Sequence, residues 1–241
     1  MDIFNELLYS AQGGSEQILY DGKVFYRYMD KLYIPSPPAL LSQSNVVALS
    51  EMRLRFGHEV IDFNYSLDVV GTLLERLSPL KDAKLIDFGC GGGMICSYLK
   101  KFSSAYSISE IVGLDLSSFA VIEFMRNHHD LDINRLNAHL FDNDIKLNYP
   151  DNYFDGAISS FVMHFNIYKN QMSELYRVLK PGACFVYNDY IYNKYKGHTK
   201  KVISLLIQVG FIIEEDNSIS FKHPETNDIK NHRIIKVSKP I

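Results

Sequence analysis

Tryptophan is absent from this 241-residue chain, and cysteine occurs only three times, at Cys90, Cys96 and Cys184. Three scattered thiols are too few for a disulfide framework or a cysteine-rich zinc site, so a reducing, cytoplasmic setting is expected. No apolar run reaches membrane-spanning length, and the opening "MDIFNELLYSAQGG" has neither a basic segment nor an apolar core. Neither a membrane span nor a secretory leader is therefore expected. Charge of one sign is not in excess either: 25 Lys and Arg stand against 28 Asp and Glu, a net charge of −3. Such a balance gives no global attraction to nucleic acid or to an anionic membrane. Repeats and low-complexity tracts are also missing. What is present is apolar and aromatic: 46% hydrophobic residues, with 16 Tyr and 15 Phe. That suffices for one large α/β domain with an appendage.

From about residue 66 onward, helical and strand-like patterns alternate, as βαβ units around a mainly parallel sheet require. "SLDVVGTLLERLSPL" puts Leu67, Val70, Leu74 and Leu77 on one helical face, with Ser66 as N-cap. "AKLIDF" (83–88), "EIVGLDL" (110–116), "LNAHLF" (136–141), "FDGAISSFVMHF" (154–165) and "ACFVYNDY" (183–190) read as strands. Helices fall between them: 94–102, one capped by Ser117, and "QMSELYRVLKPG" ending at Pro181 and Gly182. "KKVISLLIQVGF" is a further helix, "HRIIKVSK" a last strand, and the polar 217–232 stretch a hairpin or long loop. The first 60 residues differ. Three prolines in "YIPSPPALLSQS" break any long helix, so an irregular helical cap over the carboxyl ends of the strands is expected. The division is then a cap or lid over 1–60 and a core over 61–241, with a cofactor half at about 84–160 and acceptor-side loops at about 161–241.

Four of the 14 glycines crowd into five residues of "LIDFGCGGGMICSYL". A P-loop needs Lys and then Ser or Thr after its last glycine, but Met94 and Ile95 follow Gly93. A dinucleotide fingerprint starting at Gly89 and Gly91 needs a third glycine where Met94 stands. The spacing is instead acid-x-G-x-G-x-G: Asp87, Gly89, Gly91, Gly93.

In this motif the chain resembles the class I S-adenosylmethionine-dependent methyltransferases. The resemblance implies a Rossmann-like, doubly wound, mostly parallel seven-stranded α/β sheet, here with the N-terminal helical cap. It also implies S-adenosylmethionine as cofactor, S-adenosylhomocysteine as product, and no metal. A nucleoside with an amino-acid tail carries no pyrophosphate. The glycines let bare main chain approach its methionine portion and sugar, while Asp87 can receive the ammonium. Asp115 in "VGLDLS" either accepts hydrogen bonds from the ribose hydroxyls or simply caps the next helix. "DNDIKLNYPDNYFDGAISSFVMHF" (142–165) is similar to small-molecule methyltransferases of the ubiquinone and menaquinone type, with Asn148 where these often carry proline. By that likeness Asn143 meets the adenine amino group, with Asp142 as its rival, and Asp144 offers a backbone contact. Ser160 lies near the sulfonium; Cys90 and Leu116 complete the cofactor set.

Methyl transfer from a sulfonium needs mainly alignment, which can supply roughly 7–11 kcal/mol. His164, read as ending the fourth strand, is the base candidate, with Asp189 and Tyr190 facing the same pocket. A metal-dependent, catechol-type site would need an acid near that strand end, where Ser160 and His164 stand. Tyr26, Tyr28 and Tyr33 are candidates for an aromatic lid. Lys194 and Lys196, in "NKYKGHTKK", point to an anionic acceptor. The expected activity is methylation of O, N or C of a small metabolite. RNA or protein methylation is the first alternative, and a cofactor-binding protein that does not methylate, whether scaffold or cyclase-like, the second.

Overall fold

The computed structural model describes residues 38–55, 63–102, 106–190, 197–222 and 229–241, together with the backbone of three strands between 16 and 33. Those strands, β1 (Glu16–Tyr20), β2 (Lys23–Tyr28) and β3 (Lys31–Tyr33), pair antiparallel as a small sheet. These strands stand where an irregular helical cap was expected. Asp21-Gly22 is a two-residue hairpin signal, and the flanking "QILY" and "KVFYRY" are rich in strand-favouring residues. Tyr26 on β2 and Tyr33 on β3 are register partners and Tyr28 ends β2; their side chains, and with them the lid reading, lie outside the described residues.

A 3-10 turn (Pro38–Leu40) and helix α1 (Gln43–Arg55) lead into the main domain. It comprises α2 (Phe63–Leu77), β4 (Ala83–Phe88), α3 (Met94–Lys101), β5 (Ile108–Asp115), α4 (Ser118–His128), β6 (Arg135–Leu140) and β7 (Phe154–Ser159). Then follow α5 (Lys169–Val178), β8 (Leu179–Tyr190), α6 (Gly197–Val209), β9 (Ile212–Lys222) and β10 (Ile229–Ser238). Seven strands form one sheet in the order β6-β5-β4-β7-β8-β10-β9. All its pairs are parallel except those of β10, which runs antiparallel to both β8 and β9.

Strand alternation sends neighbouring residues to opposite faces, and both faces are covered by helices. Ile86, Phe185 and Tyr187 pack with Met172, Leu175 and Val178 of α5 and with Val202 and Leu206 of α6. Leu85, Ile111 and Val186 pack with Val70, Leu73 and Leu74 of α2 and with Ile95 and Leu99 of α3. Each fully buried leucine contributes roughly 1.5–3 kcal/mol. Ser66 is buried inside α2 rather than capping it, because the helix begins at Phe63. Likewise α5 stops at Val178, ahead of Pro181, which lies within β8. The carbonyls of Arg177 and Val178 accept instead from the backbone N–H groups of Asn152 and Tyr153.

Helix α1 packs on the segments that follow β4 and β5. A Cβ on Gly92 would lie 2.9 Å from Leu54, the Arg55 guanidinium stands 4.2 Å over the Phe119 ring, and Ser117 Oγ donates to Glu51 at 3.1 Å. Ser117 also caps α4, its Oγ accepting from the Ala120 N–H at 3.1 Å. Ser117→Ala is therefore expected to lower stability by about 1 kcal/mol, read as a shifted urea midpoint. An unchanged midpoint would show that neither bond matters.

Candidate functional site at the carboxyl edge of the sheet

In an open α/β sheet, ligands lie beyond the carboxyl ends of the strands, where the strand order reverses. Here that point falls between β4 and β7. The glycine turn leaves β4 there and is stitched to β5: the N–H groups of Gly89 and Cys90 both donate to the Leu114 carbonyl, at 2.7 and 3.0 Å. Gly89, Gly91 and Gly93 all have positive φ, at 75°, 51° and 87°. Their surroundings differ. A Cβ on Gly89 would fall 2.2 Å from Val162, and one on Gly93 2.5 Å from His128, whereas one on Gly91 would meet nothing within 4 Å. Two of these glycines serve close packing, and the third presents bare main chain to open space. Cys90 points inward, its sulfur against Gly113, and burial pushes its thiol well up. It offers the site only its backbone.

Two acids frame the turn. Asp115 accepts from the Gly91 N–H through Oδ2 and from the Ser117 N–H through Oδ1, both at 2.9 Å; Leu116 follows it, half-buried. Asp87 is 1% exposed, and its Oδ1 has no hydrogen-bond partner among the described residues. Burial, and then the neighbouring Asp115 charge, push its carboxyl up to about 7. A buried carboxyl held near neutrality with an unsatisfied oxygen fits a cationic ligand group.

The loop after β6 adds a third wall. Asp142 Oδ1 accepts from the N–H groups of Asp144 and Ile145, at 2.8 and 3.1 Å, while Asn143 is half-buried and Asp144 exposed. This loop is held from α5. Glu174 accepts from the Leu147 N–H, and the Arg177 guanidinium donates to the Leu147 and Tyr149 carbonyls and to Asp151. A clamp from another helix thus fixes the stretch in which Asn148 stands.

Strand β7 ends at Ser159, whose Oγ donates to the Phe88 carbonyl at 2.8 Å, so Ser160 lies just beyond the strand rather than in it. His164 does not end the strand either; it sits in the following turn, 4% exposed. The chain leaves the sheet early because Phe161 takes a positive φ of 60°, held by its N–H donating to Asn188 Oδ1 at 2.8 Å. Burial, and then the Arg53 guanidinium, hold His164 well below the usual histidine range, so its ring is neutral. Asp189 is buried and accepts from Thr199 Oγ1 at 2.6 Å, which ties it to α6. Tyr190 is described through its backbone alone, opposite His232. Lys194 and Lys196 lie outside the described residues.

Sequence reasoning missed His232, Tyr65 and Asn188, which meet at this edge. Because Asn188 Oδ1 takes the Phe161 N–H, its Nδ2 must face His232 Nδ1, 3.0 Å away, as donor. The ring proton of His232 is thereby placed on Nε2, which donates to the Tyr65 hydroxyl. Burial holds His232 down to about 4, so the ring stays neutral throughout the physiological range. A chain from main chain to phenol is thus fixed in direction. A cavity of about 270 Å³ opens between the 3-10 turn, Ile167 and α6. Among the described residues no group of three or more His, Cys, Asp or Glu is placed to hold a metal ion, and no helix is long and apolar enough to cross a membrane.

Residues 86–187 match the family described as a methyltransferase domain. The chain is 27% identical over 110 residues to 24-methylenesterol C-methyltransferase 2 of Arabidopsis thaliana, covering 45% of this chain and 29% of that protein. It is 41% identical over 66 residues to ribosomal RNA small subunit methyltransferase C of Stutzerimonas stutzeri, covering 27% and 18%. The chain thus spans less than a third of the length of these relatives. The crystal structure of a SAM-dependent methyltransferase from Aquifex aeolicus shares the fold, with a TM-score of 0.56 at 16% identity over 81% of this chain and 98% of that one.

Proposed function

We propose that this chain, which carries a methyltransferase domain on the class I methyltransferase fold, uses S-adenosylmethionine to methylate O, N or C of a small molecule. The observation that carries the cofactor reading is the pairing of Gly91, whose missing side chain faces open space among the described residues, with Asp87, whose buried oxygen lacks a partner among them. The sulfonium supplies an electrophilic methyl group when bound. The protein's part is to bind and orient. The main chain at Gly89–Gly93 lies along the methionine portion, and Asp87 accepts from the ammonium. Asp115, already oriented by two N–H groups, accepts from the ribose hydroxyls. Asn143 takes the adenine amino group, with Asp142 shaping its loop and Asp144 offering backbone. The main chain at Ser160 borders the reacting centre. His164, kept neutral by its surroundings, is the group assigned to accept a proton from the acceptor.

The small-molecule reading is supported by the packing of α1 on the glycine turn and by the modest cavity between the 3-10 turn and α6. The likeness to a ribosomal RNA methyltransferase favours RNA as the second reading. Formation of S-adenosylhomocysteine from the intact chain, supplied in turn with a small-metabolite fraction and with RNA, separates them. Turnover with the metabolites is expected. Turnover with RNA alone, with binding that weakens steeply with salt, would replace the small-molecule reading. Cofactor binding with no turnover on either would favour a non-methylating protein. His164→Ala is expected to keep S-adenosylhomocysteine affinity and slow turnover at least about tenfold, or ~1.4 kcal/mol; unaltered turnover would remove it as base.

A further inference from the structure

Asparagine is a poor strand former and seldom fully buried, yet Asn188 is 0% exposed in β8, which has strands on both sides. A buried carboxamide there persists only where its hydrogen bonds are made. Its Oδ1 takes the Phe161 N–H, and its Nδ2 faces His232 Nδ1, diagonally across on β10. Phe161 is itself out of the ordinary. A bulky residue at φ 60° is strained, and such strain persists only where the surroundings over-determine the backbone. One hydrogen bond joins the two anomalies.

That bond holds the short segment between β7 and His164. Ser159 Oγ ties the last residue of β7 to the Phe88 carbonyl of β4, and two residues on the Phe161 N–H is tied to β8. Ser160 is thus bracketed by anchors to the strands on either side. Next along the chain, Val162 packs against Gly89, where an added Cβ would fall 2.2 Å from it. The Met163 carbonyl then accepts from His198 Nε2 of α6 at 2.9 Å. The direction of the Asn188 amide decides whether the bracket closes. Oδ1 reaches the Phe161 N–H only with Nδ2 turned toward β10, and that orientation needs an acceptor where His232 Nδ1 stands.

We propose that Asn188, oriented by His232, is a positioning residue for methyl transfer: it fixes the main chain at Ser160 and Phe161 against the glycine turn, and so aligns the acceptor side of the site with the cofactor side. The proposal deepens the methyltransferase reading and rests on it. Neither side chain touches a reacting atom; both act through the backbone of the turn. Alignment is the main service methyl transfer asks of the protein, so a loosened turn slows the reaction without loosening the cofactor.

Histidine allows this role to be separated from packing, because asparagine places a carboxamide where Nδ1 lies and glutamine places one where Nε2 lies. In the intact chain, hydrogen exchange of the Phe161 amide, followed by NMR, is expected to quicken at least about tenfold in Asn188→Leu and His232→Gln, and to stay within about threefold in His232→Asn. Turnover is read as S-adenosylhomocysteine formed from whichever acceptor pool, metabolite or RNA, supports it, with S-adenosylmethionine varied. Its kcat should fall at least about tenfold in Asn188→Leu and His232→Gln with KM for S-adenosylmethionine unchanged, and His232→Asn should restore most of it. Equal losses in the two His232 variants, a loss confined to KM, or wild-type exchange at Phe161 in Asn188→Leu would overturn the proposal. Should Asn188→Leu fail to fold, the contrast between the two His232 variants decides. Wild-type protein that forms no S-adenosylhomocysteine with either pool would fail the methyltransferase reading instead. The exchange rates need no turnover, so they tell a failed hold on the main chain apart from that outcome.

Discussion

Gly91→Val is expected to weaken S-adenosylhomocysteine binding between about tenfold and a hundredfold, roughly 1.4–2.8 kcal/mol by calorimetry, in a protein that still folds. The reasoning turns on where the new methyl groups go. At Gly91 an added Cβ meets no atom of the described residues within 4 Å, so among them the fold bears only the strain of a side chain at φ 51°, about 1–3 kcal/mol. That open space is where the ligand's main-chain contacts are proposed, and branched carbons there stand in its way. Gly93→Val makes the contrast. Its Cβ would lie 2.5 Å from His128 and 3.0 Å from Phe124, so it should lower the melting temperature sharply whether or not a ligand binds. A folded Gly91→Val protein with wild-type affinity would dismiss the glycine turn as a binding surface.

Between about pH 6 and pH 8, affinity for S-adenosylhomocysteine should rise about tenfold, and Asp87→Asn should flatten that rise. The sign follows from the carboxyl. Folded and without ligand, Asp87 sits at about 7, against 3.8 when exposed, mainly because it is buried. Below pH 7 it holds a proton that must leave before it can pair with an ammonium, so binding releases a proton and weakens with acidity. The same shift makes the unliganded fold lose stability as pH rises from 3.8 through 7, since the folded chain then binds more protons than the unfolded one. His232 works in the other direction. Its folded value of about 4 lies below the ordinary 6.5, so its contribution is lost as pH falls from 6.5 towards 4. The window above pH 6.5 therefore isolates Asp87. A flat affinity profile for the wild-type chain, or an Asp87→Asn profile as steep as the wild type's, would take Asp87 out of ammonium recognition.

Much of the scaffold was legible because its signals are local. "AKLIDF" is strand β4 to the residue, Ser117 caps α4, and the polar 217–232 stretch holds the paired ends of β9 and β10. The glycine spacing pointed to one turn, and that turn lies at the switch point of the sheet. Long-range pairings were not legible. Nothing near His232 in the chain says that β10 slips in beside β8 and brings the imidazole to Asn188 and Tyr65. The Arg177 clamp on the 142–153 loop joins residues more than twenty apart. His164 was placed at a strand end because apolar residues run on through Met163, whereas a single positive φ at Phe161 ends the strand first. In the N-terminal segment Asp21-Gly22 is a more local signal than the prolines, and β1 and β2 pair on either side of it.

The reversed strand β10 also governs how the molecule is assembled in time. Strands β4 to β8 are parallel neighbours that can join in the order in which translation delivers them, but the seat next to β8 waits for residues 229–238. Until that strand emerges, β8 exposes a row of unpaired amides and carbonyls, an open template for another chain. A ribosome paused before it therefore presents an adhesive intermediate, and insertion of the final strand both seals that flank and delivers His232 to its partners in one event.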